Sequence, residues 1–180
     1  MLIKADQSCL IVIDVQERLV PAMQAPARVI RNTQTLMTAA KKLAIPILLT
    51  EQYPKGLGHI VPELRELAKA GTVIKKMHFS CMNEKPFAAR FKALGRRQAV
   101  IVGMEAHICV MQTGVDLMEQ GYEIFVVTDA TSSRTPESEK ACLDRLGAAG
   151  AGIVTTEMVV FEWLGRAGTP EFKELLSMIK

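Results

Sequence analysis

Residues 9–14, CLIVID, form an unbroken apolar run that ends in a carboxylate. A strand with one wet face alternates apolar and polar side chains, whereas a strand covered on both faces has no need to. The run therefore predicts a strand buried on both sides, with Asp14 at its carboxyl end. Four further segments repeat the signature: IPILLT (45–50), TVIK (72–75), AVIVGM (99–104) and EIFVVTD (123–129). A weaker sixth, GIVTTE (152–157), follows the glycine-rich AAGAG. Helical spacing occupies the intervals at roughly 28–43, 61–70, 86–94, 106–120 and 136–149, and a last helix is expected at 170–178. Gly71, Gly95 and Gly121 follow helical runs, while Thr135-Pro136-Glu137 and Thr169-Pro170-Glu171 resemble an N-cap with proline at the first helical position. Strict alternation of this kind predicts an α/β fold: one domain spanning residues 1–180, with a parallel sheet covered by helices on both faces.

Composition agrees. Of 180 residues, 49% are apolar and 23% charged, which excludes a wholly disordered or collagen-like chain. The longest uncharged stretch, 146–156, falls far short of the roughly 20 apolar residues of a membrane helix. Asp14, Glu17 and Arg18 interrupt the first apolar run at once, unlike a secretory signal, so the sequence reads as cytosolic, a cytoplasmic protein with no membrane partner. Lys and Arg total 22 against 19 Asp and Glu, and the basic residues are scattered. A net charge of +3 is too small for a nucleic-acid footprint. Cysteines at 9, 81, 109 and 142 show no metal-binding spacing and read as free thiols.

In parallel sheets of this type ligands bind outside the carboxyl ends of the strands, near the point where strand order reverses. The polar residues at those ends are Asp14 and Gln16, Glu51 and Gln52, Lys75 and Lys76, the stretch 105–109, and Asp129. Cys109, in GMEAHICVMQTGV (103–115), falls in the first turn after a strand. Unpaired N–H groups and the helix dipole there favour thiolate and can receive a developing oxyanion. Read as packing alone, Cys109 is a small buried apolar residue. A carboxylate closing an apolar strand is costly unless paired or functional, so Asp14 is the candidate base, although a turn cap accounts for it as well. In the common strand order 3-2-1-4-5-6 it would meet Cys109 at the switch point. Lys76 would be the cation that holds Asp14 ionised, against the default of a solvated lysine.

Asp14 in VIDVQ, Lys76 in KMHFS and Cys109 in GMEAHICV resemble, in order and spacing, the triad of the isochorismatase-like cysteine hydrolases. TEQYPKGLG (50–58) resembles the subgroup of isochorismatase-domain proteins. The resemblance implies a Rossmann-like three-layer α/β/α sandwich on a six-stranded parallel sheet. It implies attack by Cys109 on an amide-like carbonyl to give a thioester, with Asp14 carrying the proton and Lys76 supporting the pair. It also implies an oxyanion hole from the N–H groups of Glu105 and Cys109, with a cis peptide at Met104-Glu105. Spacing within K-x-x-[FY]-S selects Lys76 over Lys75. The Asp-x-His metal cluster of nicotinamidases is missing from TEQYPKGLGHI, which retains only Glu51 and His59, so no metal and no cofactor is expected. Isochorismatases proper lack a cysteine at the position of Cys109, which turns the expectation from a vinyl ether toward a small amide or related C–N bond.

Gln16, Gln52, Tyr53 and Phe79 are the expected pocket lining for a small-molecule substrate. His107 is a second candidate base, although a local hydrogen bond accounts for it equally; His78 and His59 are weaker candidates. Asp129 reads as structural, tying the loop TSSRTP (131–136) to its strand. Cys81 reads as a pocket wall, or as a redox partner of Cys109; Cys9 and Cys142 fit core packing. Two other functions stand beside hydrolysis: thiol-redox chemistry through Cys109 and Cys81, and a catalytically silent binding or scaffold module. Relatives of this kind are usually oligomers, so a homo-oligomer, dimer or tetramer, is expected, with MVVFEWL (158–164) packing either in the core or between subunits.

Overall fold

The computed structural model describes residues 1–179. Six strands, β1 (Ser8–Ile13), β2 (Ile47–Gln52), β3 (Val73–Lys76), β4 (Gln98–Met104), β5 (Glu123–Ser132) and β6 (Gly152–Val154), form one sheet in the order 3-2-1-4-5-6. Every neighbouring pair is parallel. The helices are α1 (Pro26–Lys42), the single turns α2 (Pro54–Leu57) and α3 (Pro62–Arg65), α4 (Lys85–Ala93), α5 (Met111–Glu119), α6 (Pro136–Ala148), α7 (Thr156–Leu164) and α8 (Pro170–Ile179). This is the α/β sandwich that the sequence predicts.

β1 shows why. Leu10 and Val12 point into a core shared with α1, α7 and α8, through Val29, Leu36, Val160, Trp163 and Leu175. Cys9, Ile11 and Ile13 point the other way, against Phe87 and Phe91 of α4, Leu117 of α5 and Leu146 of α6. Alternate side chains of a strand face opposite layers, so a strand buried twice must be apolar throughout. Burial of Leu10, Ile11, Val12 and Ile13 contributes roughly 1.5–3 kcal/mol each.

Three boundaries depart from the sequence reading. The helix expected at 61–70 is only the turn α3, after which the chain continues in i to i+3 turns from Leu67 and Ala68 toward Gly71. β5 runs past Asp129 to Ser132 because a bulge shifts its register on β4: Ile101 faces Val126, but Gly103 faces Thr131. α7 replaces the end of the sixth predicted strand. Val159, Val160 and Trp163 are buried while Met158 and Phe161 are exposed, so MVVFEWL serves the core and presents two apolar side chains outside. Apolar residues on both sides of α7 leave no polar stripe to reveal its period. Asp129 is structural, but it holds α7 rather than the loop 131–136: its carboxylate accepts Thr156 N at 2.8 Å and Thr156 Oγ1 at 2.9 Å.

Candidate active site

Ile13 lies between Thr50 of β2 and Gly103 of β4, so the next residue emerges where the strand order reverses. That residue is Asp14, whose φ of +53° places it in the left-handed region, where Asp is among the more tolerant side chains. Its backbone and its side chain are both held by Thr50. Asp14 N donates to Thr50 O at 3.2 Å, and Thr50 Oγ1 donates to Asp14 Oδ1 at 2.7 Å. Gly103 permits this closeness: a Cβ there, at φ +128°, would sit 2.0 Å from Ile13 O.

Lys76 ends β3. The period of two turns Ile74 and Lys76 inward and Lys75 out to solvent, which separates the two lysines physically. Lys76 Nζ lies 2.8 Å from Asp14 Oδ2 in an ion pair with no exposed surface on either side chain. The ammonium also donates to Gln52 Oε1 at 2.5 Å, Phe79 O at 3.1 Å, His78 O at 3.3 Å and Cys109 Sγ at 3.4 Å. Four elements thus converge on one cation.

Cys109 belongs to a π turn, Ala106–Val110, that opens α5, and the preceding Met104–Glu105 peptide is cis. The expectation that a helix start lowers its pKa is reversed in the resting site. Burial is the largest cause, the Asp14 carboxylate adds to it, and Lys76 only partly offsets them, so the thiol stays protonated well above its ordinary range. Burial also raises Asp14 above the usual carboxylate range against the pull of Lys76, which makes it a stronger base. At Lys76 burial is the largest single cause and pulls downward, but Asp14 together with Cys81 and Cys109 outweighs it and keeps the group an ammonium. Moving the proton from Cys109 to Asp14 leaves the net charge of the buried trio unchanged. The site can therefore generate thiolate without burying a new charge.

A cavity of about 300 Å³ opens on the trio, lined by Asp14, Gln52, Phe79, Glu105, Cys109 and Arg134 among others. A larger one, about 750 Å³, lies around Ile45, Pro46 and Thr72 at the amino ends of β2 and β3 and is lined by no cysteine, histidine or carboxylate. Of the expected lining residues, Gln52 and Phe79 reach the cavity, while Gln16 and Tyr53 do not. Gln16 is fully buried and clamps the loop behind it: Nε2 donates to Gln52 O at 2.9 Å and Gly58 O at 2.7 Å, and Oε1 accepts Gln52 N at 2.7 Å. Tyr53, 48% exposed, lays its ring over Gly56. Glu51 accepts Ile60 N at 3.0 Å and pairs with His59. His78 pairs with Glu84, which also accepts Met77 N and His78 N and so fastens the segment that carries Phe79. His107 Nδ1 lies 2.8 Å from Ser133 Oγ, a bond to the segment that follows β5 rather than a local one. Cys81, buried behind the site, has its thiol pushed up to about 12, chiefly by burial.

One participant, Arg134, escapes the sequence reading, and with it the part played by the Glu105 side chain. Arg134 Nε lies 2.5 Å from Glu105 Oε1, and this pair forms one wall of the cavity. Arg134 arrives there because β5 continues beyond Asp129, an extension with no signature of its own in the sequence.

The arrangement can be set against known proteins. The isochorismatase domain-containing protein 1 of Salmo salar is 38% identical over 167 residues, covering 93% of this chain; the chain spans 59% of that protein's length. Among solved structures, the MAR1 ribonuclease of Caenorhabditis elegans superposes with a TM-score of 0.93 at 37% identity, covering 99% of this chain and 92% of that one. YcaC from Pseudomonas aeruginosa, described with hexane-2,5-diol and covalent acrylamide, gives 0.93 at 25% identity, covering 98% and 91%. A family model of the isochorismatase domain matches residues 8–158, the span that runs from β1 through every strand-end residue of the site to the start of α7, and the chain thus belongs to the isochorismatase family.

Proposed function

We propose that the protein is a metal-independent cysteine hydrolase acting on a small amide or related C–N bond. The observation that carries this reading is the buried contact of Lys76 Nζ with both Asp14 Oδ2 and Cys109 Sγ, at 2.8 and 3.4 Å. Cys109 Sγ attacks the carbonyl carbon while its proton passes to Asp14, and the carbonyl oxygen takes the negative charge. The N–H groups of Glu105 and Cys109, both residues of the cavity wall, receive that oxyanion. Collapse of the intermediate breaks the C–N bond, Asp14 returns the proton to the leaving nitrogen, and a thioester remains on Cys109. Water, deprotonated by Asp14, then releases the acid and regenerates the thiol. Lys76 keeps Asp14 ionised at the start of each half-reaction and holds the thiolate once it forms.

The covalent acrylamide described for YcaC from Pseudomonas aeruginosa, an electrophilic alkene, fits a reactive nucleophile in that protein and carries no information on amide cleavage. The ribonuclease named for the Caenorhabditis elegans neighbour finds little counterpart here, since Arg134, the cation of the cavity wall, is committed to Glu105 and the buried Lys76 behind it to Asp14. Glu51 and His59 bond to each other, and among the described residues no three His, Cys, Asp or Glu side chains are grouped to hold a metal ion. That is fewer than the three protein ligands of a catalytic zinc site. A homo-oligomer is also proposed, with Met158 and Phe161 on the outside of α7 as its apolar contacts. Light scattering that returned a monomer would dismiss it.

Ammonia release from a panel of primary amides, read alongside intact mass after acid quench, tests the hydrolase. A thioester adduct on Cys109 and release that is lost in Cys109→Ala but insensitive to chelators are expected. Release that survives Cys109→Ala would overturn the mechanism.

A further inference from the structure

The charges at the cavity wall cancel in pairs. Glu105 faces Arg134 on the wall, and Asp14, the other carboxylate there, is backed by the fully buried Lys76, so the four charges sum to zero. The remaining surface is mainly apolar, from Leu19, Ala22, Met23, Leu57, Phe79 and Ile108. About 300 Å³ is at the lower end of the range for small-molecule sites, so the ligand is compact. A charged ligand entering this space gives up hydration and finds no free counter-charge, a cost that a neutral ligand avoids.

Arg134 is the group that would otherwise change this. Its side chain is 57% exposed, whereas that of Glu105 is only 13% exposed, so the carboxylate is the fixed partner. Gln24 holds the Arg134 backbone in place by donating Nε2 to Arg134 O at 2.9 Å. Resting on the cysteine-hydrolase reading, we infer that the site selects small, uncharged, mainly aliphatic acyl groups, and that the Glu105 side chain sets this selectivity by neutralising Arg134.

Two alkylating reagents that differ in charge but hardly in size, iodoacetamide and iodoacetate, test the inference on the full chain. In each case the Cys109 sulfur bonds to the methylene carbon, iodide leaves with the electron pair, and the thiol proton passes through Asp14 to solvent. Rates at Cys109 are followed by peptide mass spectrometry and normalised to glutathione under the same conditions. The normalised preference for iodoacetamide is expected to be about tenfold or more, as for a charge denied a partner on entering an apolar site. Glu105→Gln, which frees Arg134, should move the ratio toward iodoacetate; Arg134→Met, which leaves Glu105 unpaired, should move it further the other way. Equal normalised rates in the wild-type protein overturn the inference and leave the nucleophile intact. Failure of both reagents at Cys109, with labelling restored on denaturation, overturns the nucleophile reading and this inference with it.

Discussion

Lys76 Nζ lies 2.8 Å from Asp14 Oδ2, and neither side chain exposes any surface. Removing one member of a buried ion pair strands the other, at a cost of about 3–5 kcal/mol, while replacing both by neutral groups of similar volume is often tolerated. Asp14→Asn is therefore expected to lower stability by roughly that amount and to abolish turnover. Asp14→Asn with Lys76→Met should recover much of the stability and none of the activity. Urea unfolding of the three proteins, with turnover measured alongside, checks this; a double variant no more stable than the single one would contradict it.

The cysteines set a limit on alkaline stability. Burial raises Cys9 and Cys81 from 9.0 to about 12 and Cys142 to about 11, and it raises Cys109 as well. A folded-state pKa above the unfolded one gives stability that is complete below the unfolded value and is lost as pH rises toward the folded one. Unfolding free energy should hence fall above about pH 9, by about 1.4 kcal/mol per pH unit for each thiol held protonated. Cys9→Ala should flatten the decline by one thiol's share in unfolding series between pH 8 and 10.5. An unchanged slope would count against the burial argument.

Gly103 leaves no room for a side chain between β1 and β4. At φ +128°, with the position of a Cβ 2.0 Å from Ile13 O, any side chain must push the two strands apart. Gly103→Ala is expected to cost more than about 3 kcal/mol, the sum of backbone strain and a clash with main chain. Thermal unfolding would show it, and a near-neutral result would mean that the strands separate easily.

His107 provides the contrast. Its ring is bonded to Ser133 Oγ at 2.8 Å rather than to the trio, so His107→Gln should retain turnover within about threefold, where loss of a true general base costs about 100-fold or more. Steady-state rates settle this once a substrate is in hand, and a hundredfold loss would make His107 the base.

Periodicity alone determined a great deal about this protein. Apolar runs such as 9–14 and 99–104 have to be buried on both faces, helices have to lie between them, and the sheet that follows puts Asp14, Lys76 and Cys109 at the same edge. Those are local properties of side-chain pattern, and they carry into the fold except at 61–70 and at the end of the sixth strand. Resemblance at VIDVQ, KMHFS and GMEAHICV added the family, and the match over residues 8–158 agrees with it.

Tertiary structure decided whatever depends on distant partners. α7 has no polar stripe because it is packed on one side and apolar on the other, and its start is held by Thr155, whose hydroxyl accepts Met158 N, together with the distant Asp129 of β5. Gln16, expected at the pocket, instead spends its amide on the backbone of Gln52 and Gly58. Arg134 reaches Glu105 only through the bulge in β5. The thiol of Cys109 is held protonated by burial and by Asp14, a sum over neighbours that no single segment contains. Strand and helix patterns are written into consecutive residues, but protonation, charge pairing and cavity shape depend on groups brought together from opposite ends of the chain.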